Sequence, residues 1–596
     1  MLQTPTLYQH TLRNNNSSNN SRAGVTVIDT VKRREFDQKI AGQLHAKPLA
    51  GRVLAGRGIR RSDEVQLQST QLPQPASLAD FDTAVSLLAE AVTQKKKILI
   101  VGDYDADGAT STALAIHVFR SIGVDAEYLV PNRFEYGYGL SAEIVAVALQ
   151  SKPDLILTVD NGVASNEGVE KAVNAGVTVV VTDHHLPPEV LPAADAIVNP
   201  NRADCEFPAK NLCGAGVIFY VMTGLCRRLQ KSGWFEQHNI KVPDMAACLD
   251  LVALGTVADV VPLDKTNRIL VDQGVRRIRA GATRPGIKAL FEVAGRRQGW
   301  CLTQDLGFFI GPRLNAAGRL TDMTVGIECL LSEDDKTALH LATELNKINS
   351  QRRNIQAGMN AEAELQIDKL QLDGELPAAL ALYQPDWHEG VIGIVAGRIK
   401  ERCHRPVFAF ARAADGTLKG SGRSIAGIHI RDILMEIAAS SPGLLKKFGG
   451  HAMAAGVTLQ ESDFESFAKA FNERVSHKLG GVTPTREWLT DGELEDEDLN
   501  LENAELMQFL QPWGQAFEAP SFDGVFHIES VRIVGNNHSK MLIRRVDGKN
   551  KLPAMAFNRR IDNSRSDCWR AVYRLDVNHY RNTNSLQLLI EYLEPA

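Results

Sequence analysis

Ile98-Leu99-Ile100-Val101-Gly102-Asp103-Tyr104-Asp105-Ala106-Asp107-Gly108 joins four consecutive apolar residues to three carboxylates at alternate positions. The apolar half reads as a strand buried on both faces, because no polar residue interrupts it. The acidic half has no packing explanation. Ionised carboxylates repel, and gathering them away from water costs free energy unless a positive charge stands between them. Divalent cations meet that need. The pattern recurs at Asp160-Asn161-Gly162, at Asp183-His184-His185 and at Asp259, each at the end of an apolar segment. The repetition predicts a single centre holding two metal ions.

Around this stretch, short apolar runs alternate with helix-like ones. Ile98–Val101, Leu155–Val159 and Val177–Thr182 read as strands, and Ser111–Ser121 and Ser141–Gln150 as helices. That alternation implies a parallel sheet with helices on both faces, whose ligands collect beyond the carboxyl ends of the strands. Further on, Ser332-Glu333-Asp334-Asp335 reads as a helix start with a serine cap. Leu341, Leu345, Ile348, Ile355 and Met359 continue one face of a long helix that suits a rod between domains. A smaller α/β unit follows, with strand Ala379–Tyr383, helix Val391–Lys400 and strand Pro406–Ala411. Near the C-terminus, Val525–Val534, Met541–Val546, Leu552–Phe557, Trp569–Tyr580 and Leu586–Tyr592 read as five strands separated by turn signals. Five short strands joined this way predict a small β-barrel of the OB type.

The site chemistry follows from residue types and spacing. Asp105 and Asp107, two apart on a segment expected to be extended, face one side and can share a metal. Asp160 can bridge from the next strand, His184 supplies an imidazole, and Asp259, after Leu251–Val257, closes the set. Mixed carboxylate and imidazole ligands suit manganese or magnesium better than structural zinc. Two such ions, about 3.5–4 Å apart, activate a water and stabilise the leaving oxygen of a phosphoester. Adjacent residues at a strand end point apart, so His184 is expected on the metal and His185 on the phosphate or leaving group. Arg313, Asn315 and Arg319, separated by small residues, and Ser421, Arg423 and Ser424, in what reads as a glycine-rich loop, offer donors to phosphates, with Arg133 as a further one. Gly449-Gly450-His451 permits close backbone contact with a strand. In the barrel, Trp569, Tyr573, Tyr580 and Phe557 interleave with Arg544, Arg545, Arg559, Arg560 and Arg574. Stacking rings beside cations are the usual means of holding a single strand, although at least half of these rings are expected in the barrel core.

Composition narrows the class. With 596 residues, 44% hydrophobic and 23% charged, the chain reads as a soluble multidomain protein without an apolar run long enough to span a membrane. Eight scattered cysteines with no C-x-x-C pair fit a reducing cytoplasm. The polar start, through Asn14–Asn20, lacks a signal peptide's apolar centre and reads as a disordered tail. A net charge of −5 argues against indiscriminate polyanion binding without excluding a local basic groove.

Asp103–Gly108, Asp160-Asn161-Gly162, Asp183-His184-His185 and Gly255-Thr256-Val257-Ala258-Asp259 resemble the four motifs of the DHH phosphoesterase superfamily. Phe448–Gly456 is similar to the glycine-rich motif of its companion DHHA1 domain. Gly311–Arg319, His388–Gly393 and Ser421–Ser424 extend the likeness to the superfamily's bacterial single-strand-specific 5′→3′ DNA exonucleases. Beyond a polar tail over 1–30, which composition marks as disordered and the resemblance does not cover, the resemblance implies a DHH domain over 31–331, a connecting helix over 332–374, a DHHA1 domain over 375–470 and an OB-type domain over 471–596. It implies that Asp105, Asp107, Asp160, His184 and Asp259 hold two Mn2+ or Mg2+ ions, with His185 acting beside them. Some members carry a histidine where this chain has Val101, which cannot bind metal, so that either one metal site is weaker or Asp103, read as a catalytic residue, substitutes. A groove against the DHHA1 domain, too narrow for a duplex, would admit one strand from the barrel. The implied setting is cytoplasmic DNA repair, recombination and mismatch repair by a monomer, with single-stranded DNA, a single-strand-binding protein and a helicase as partners. Rival readings are a phosphodiesterase of short RNAs or cyclic dinucleotides, which needs neither barrel nor long helix, and an inactive replication scaffold, which should have lost several ligands.

Overall fold

The computed structural model describes residues 28–132, 139–372, 376–535, 537–580 and 583–596. Two compact units emerge, one of Thr30–Asn354 with Glu487–Ala596, the other chiefly of Ile355–Arg486.

At the centre of the first unit is a five-stranded parallel sheet in the order Glu127–Leu129, Ile98–Val101, Leu155–Val159, Thr178–Thr182, Ala196–Val198. Its side chains alternate between two cores, as strand geometry requires. Ile98, Ile100, Leu157, Val159, Val180 and Val198 face a large cluster with Leu114, Val118, Val217, Val221 and Leu251 from three helices. Leu99, Val101, Ile156, Val179, Val181 and Ile197 face a smaller cluster with Ile144, Val145, Val169 and Ala172. Both faces are dry, which is why the strands read as unbroken apolar runs.

The second unit holds a five-stranded mixed sheet in the order Lys447–Gly450, Ala454–Gln460, Thr417–Arg423, Val407–Arg412, Leu380–Tyr383, with only the last pair parallel. Phe408, Phe410, Phe467 and Phe471 fill its core. Ser421 and Arg423 therefore stand on a strand, not in a loop. The neighbouring glycines make room for rings: a Cβ on Gly420 would strike Phe410 at 2.3 Å, and one on Gly422 would strike Phe408 at 2.5 Å.

The C-terminal strands Phe522–Val534, His538–Arg545, Leu552–Ala556, Trp569–Tyr580 and Thr583–Pro595 close into a barrel. Phe522, Phe526 and Tyr573 from its interior belong to the same apolar cluster as the parallel-sheet domain. Charge reinforces that junction: Arg57 grips Asp491 with two hydrogen bonds of 2.7 and 2.9 Å, both side chains 2% exposed.

Several expected boundaries move. The first helix after the acidic loop spans Ala106–Ser121, five residues earlier than expected, because Asp105 caps it. The long helix spans Asp335–Leu372, and its first turn is capped by Asp334, which accepts from Thr337 N at 2.9 Å. Ser332 instead donates to Glu328 O at the end of the preceding helix. The boundary expected at 470 cuts the helix Phe464–Leu479, whose Phe471 and Val475 belong to the second unit's core. Ile28–Arg33 is a strand, so the stretch read as tail ends before residue 30; its residues 1–27 lie outside the described ones.

All eight cysteines are free, seven of them buried. Among the described residues no helix is long and apolar enough to cross a membrane. Breaking a buried ion pair strands a charge, so Asp491→Ala should destabilise the first unit by about 3–5 kcal/mol, read as a lowered urea midpoint. Asp63→Ala, which removes an exposed pair with Arg61, should leave the midpoint in place.

Candidate active site

Three helices and the carboxyl ends of the sheet deliver the acidic residues to one place. Asp105 is the extended cap of Ala106–Ser121, and its Oδ1 accepts from Asp107 N at 2.9 Å and Gly108 N at 3.0 Å. Asp107 thus lies in the first helical turn, not on an extended segment. Its carboxylate is caught in turn by the start of Gly214–Lys231, where Gly214 N donates at 2.6 Å and Ala215 N at 3.0 Å. Aligned peptide dipoles favour an anion at such a position. Asp160 follows the central strand in a left-handed conformation with φ of 63°, and Asp259 ends the helix Leu249–Ala258. The fourth acidic motif therefore comes from a helix, not a strand.

His184 Nε2 lies 3.1 Å from Asp160, 3.5 Å from Asp259 and 3.9 Å from Asp107. Its ring centroid is 4.5 Å from that of His185, so the two imidazoles do not diverge as expected. Asp183 explains why. Its carboxylate accepts from Val163 N, His184 N and His185 N, and pairs with His185 Nδ1 at 2.8 Å, which aims the second ring inward. Asn199 and Asn201 brace the same turn by donating to His185 O and His184 O.

Three groups of potential ligand atoms result, each with all its atoms within 4.8 Å of one another: Asp160, His184 and His185; Asp107, His184 and Asp259; Asp103, Asp105 and Asp160. The five residues expected at the metals, Asp105, Asp107, Asp160, His184 and Asp259, fall in these groups, and Asp103 and His185, expected beside them, join as further potential ligands. Asp160 and His184 each belong to two of the groups, so the groups overlap in one centre. The electrostatics agree with a cation site. Burial first, then the charge of Asp105, pushes Asp107 up to about 6. Burial and neighbouring aspartates raise Asp160 and Asp259 well above the carboxylate range. Burial opposes a charge on His185, but its hydrogen bond to Asp183 and that residue's charge outweigh it and hold the imidazole at about 9. Oxygen and imidazole donors that repel one another fit manganese or magnesium. Val101, by contrast, is a core residue with no exposure.

The expected phosphate ligands divide between the two units. Arg313, Asn315 and Arg319 lie on a helix, Gly311–Leu320, not on an open loop. Arg313 is 7% exposed and donates to Asn346 Oδ1 at 3.1 Å and Phe309 O at 2.5 Å. Asn315 Oδ1 accepts from Ala106 N at 2.8 Å. Ser421, Arg423, Gly449, Gly450 and His451 belong to the second unit. There Arg423 donates to Ser421 Oγ at 3.2 Å and to Gly422 O, and Ser424 is spent on Ile428 O. Gly450 has a φ of 137° at the hairpin before His451, whereas Gly449 faces open space. Arg133 lies outside the described residues.

The barrel rings divide. Trp569 and Tyr573 are buried and Phe557 is 56% exposed, while the Tyr580 side chain lies outside the described residues. Arg544, Arg545 and Arg574 pair with Glu529, Glu495 and Glu591, so the interleaved stripe is not one continuous surface. Sequence reasoning missed Asp183 as the residue orienting His185, and missed the backbone of Gly214 and Ala215. The signal for the second was Cys213-Gly214-Ala215-Gly216, small residues opening a helix. A Cβ on Gly214 would strike Asp160 at 2.5 Å, and one on Gly255 would strike Asp107 at 2.5 Å.

Because Asp107 sits at about 6 rather than its ordinary 3.8, the metal-free fold binds its proton more tightly than the unfolded chain does. Its stabilising contribution is present at low pH and is lost as pH rises through about 6. A cation displaces that proton. The gain in melting temperature on replacing EDTA with Mn2+ should therefore widen from about pH 5 to about pH 8, in thermal melts.

Comparison with known proteins places this geometry. The chain matches the DHH family, N-terminal domain, over residues 97–256, the DHHA1 domain over 377–477 and the RecJ OB domain over 490–592. It is 48% identical over 575 residues to the single-stranded-DNA-specific exonuclease RecJ of Salmonella typhimurium, covering 95% of this chain and 99% of that one. The crystal structure of Thermus thermophilus RecJ in complex with Mn2+ superposes with a TM-score of 0.79 at 29% identity, over 96% of this chain and 80% of that one. The Mg2+ complex of the same protein superposes with a TM-score of 0.73 at 27% identity, over 96% and 79%. The chain belongs to the RecJ family of single-stranded-DNA-specific exonucleases.

Proposed function

We propose that this chain is a metal-dependent hydrolase that removes nucleotides from the 5′ end of single-stranded DNA. The observation that carries the reading is the convergence of Asp103, Asp105, Asp107, Asp160, His184, His185 and Asp259 into three overlapping ligand groups. Asp105, Asp107, Asp160, His184 and Asp259 would hold two Mn2+ or Mg2+ ions, with Asp103 closing the set. Bound there, the ions would lower the pKa of a water and draw charge from the phosphate oxygens.

The remaining steps belong to side chains. His185, kept protonated by Asp183, donates a hydrogen bond or a proton to the phosphate or the departing oxygen. Arg319, half-buried on the helix beside the acidic loop, and Ser421 with Arg423 in the second unit supply donors to phosphates. Gly449, Gly450 and His451 form a hairpin that lets a strand approach the backbone. The barrel holds the strand upstream, with exposed Phe557 and the exposed Arg559 and Arg560 as its contacts. The setting is cytoplasmic DNA repair, recombination and mismatch repair, by a monomer working with a single-strand-binding protein and a helicase.

A nuclease assay with Mn2+ or Mg2+ on end-labelled single-stranded and duplex DNA tests this. Single strands should shorten from the 5′ end, and EDTA or Asp160→Ala should abolish the activity. Turnover of dinucleotides without cleavage of long DNA would overturn it in favour of a small-substrate phosphodiesterase. Binding of single strands without any cleavage would favour a scaffold. Asp183→Asn, which weakens the grip on His185, should cost about 10–100-fold in rate while leaving single-strand affinity in place.

A further inference from the structure

Asn315, expected to serve phosphates, has its side-chain oxygen engaged by the backbone of the acidic loop. The first turn of Ala106–Ser121 opens with the N–H groups of Ala106, Asp107 and Gly108, which a helix leaves without internal partners. Asp105 Oδ1 takes those of Asp107 and Gly108. The remaining one, on Ala106, donates to Asn315 Oδ1 at 2.8 Å, from 209 residues away in the chain. A backbone N–H can be met only by an acceptor, so the amide of Asn315 must turn its oxygen to the acidic loop.

A second contact from the same helix falls on the same loop. A Cβ on Gly318 would lie 1.7 Å from Tyr104 O, so the helix backbone rests directly on the loop between Asp103 and Asp105. Ala316 and Ala317 are fully buried. Gly318 therefore serves close packing of the helix against this loop.

We propose that Asn315 is a positioning residue for the metal-binding carboxylates, an inference that rests on the metal reading above. By occupying the Ala106 N–H, it leaves the Asp105 carboxylate committed only to Asp107 N, Gly108 N and a cation. Without it, the Ala106 N–H competes for that carboxylate and the turn carrying Asp105 and Asp107 loosens. The helix that carries Arg313 and Arg319 is thereby tied to the metal loop by a side-chain hydrogen bond.

The test uses the full-length protein with Asn315→Ala and Asn315→Asp. Mn2+ binding is followed by electron paramagnetic resonance, oligonucleotide binding is measured in EDTA, and a melt in EDTA checks folding. Asn315→Ala should raise the Mn2+ concentration at half-saturation about 10–100-fold and leave metal-free oligonucleotide affinity unchanged. Asn315→Asp, which retains an acceptor for Ala106 N, should restore most of the Mn2+ affinity, and it carries the test if Asn315→Ala fails to fold. Weakened oligonucleotide binding with unchanged Mn2+ binding, worst in Asn315→Asp because its charge repels phosphate, would overturn the proposal in favour of a direct substrate contact. Unchanged behaviour in Asn315→Ala would also overturn it. Failure of the wild-type protein to bind Mn2+ would overturn the metal reading itself, and this proposal with it.

Discussion

Mutual repulsion among buried carboxylates is the constraint on which this structure turns. Asp103, Asp107 and Asp160 are each no more than 3% exposed, and no solvent shields them from one another. The fold meets part of that cost with backbone dipoles and part with the imidazoles of His184 and His185. Two N–H groups at the start of one helix hold Asp107, and the N–H groups of another helix hold one oxygen of Asp105. Burial first, and the charges of neighbouring aspartates after it, raise the pKa values of Asp107, Asp160 and Asp259, and a divalent cation relieves both.

The architecture follows from keeping those dipoles in place. A parallel sheet buried on both faces ends its central strands at one edge, and the helices packed on it start or finish at the same edge. Asp160 pays for its position with a left-handed backbone at φ of 63°, held by its N–H donating to Thr182 O at 3.0 Å. Glycines stand where the site permits nothing larger: Gly214 against Asp160 and Gly255 against Asp107. The barrel joins the same apolar core and is fastened by a buried arginine–aspartate pair, so it forms one unit with the metal loop.

Where the sequence misled, the reason is consistent. Glycine-rich stretches suggested phosphate loops, yet Gly420 and Gly422 lie on a strand against phenylalanine rings, and Gly318 lies in a helix against Tyr104. A missing side chain reads the same whether the space is taken by a ligand or by another part of the chain. The arginines of the barrel suggested a track for a polyanion, but Arg544, Arg545 and Arg574 meet glutamates distant in sequence. Ion pairs between remote residues leave no local signature. Ser332 and Asp334 are both good caps, and only the course of the preceding helix decides between them.

The sequence by itself determined the three central strands of the parallel sheet, the five-stranded barrel, the long helix and the acidic and histidine residues that converge at the sheet's edge. Those features depend on local periodicity and on chemistry that has no apolar explanation, and both are written in consecutive residues. Tertiary structure alone decided what each polar group is used for. Asp183 orients His185, Asn315 serves Ala106 and the start of a distant helix holds Asp107, because a hydrogen bond is satisfied by whichever partner the packed fold brings within 3 Å.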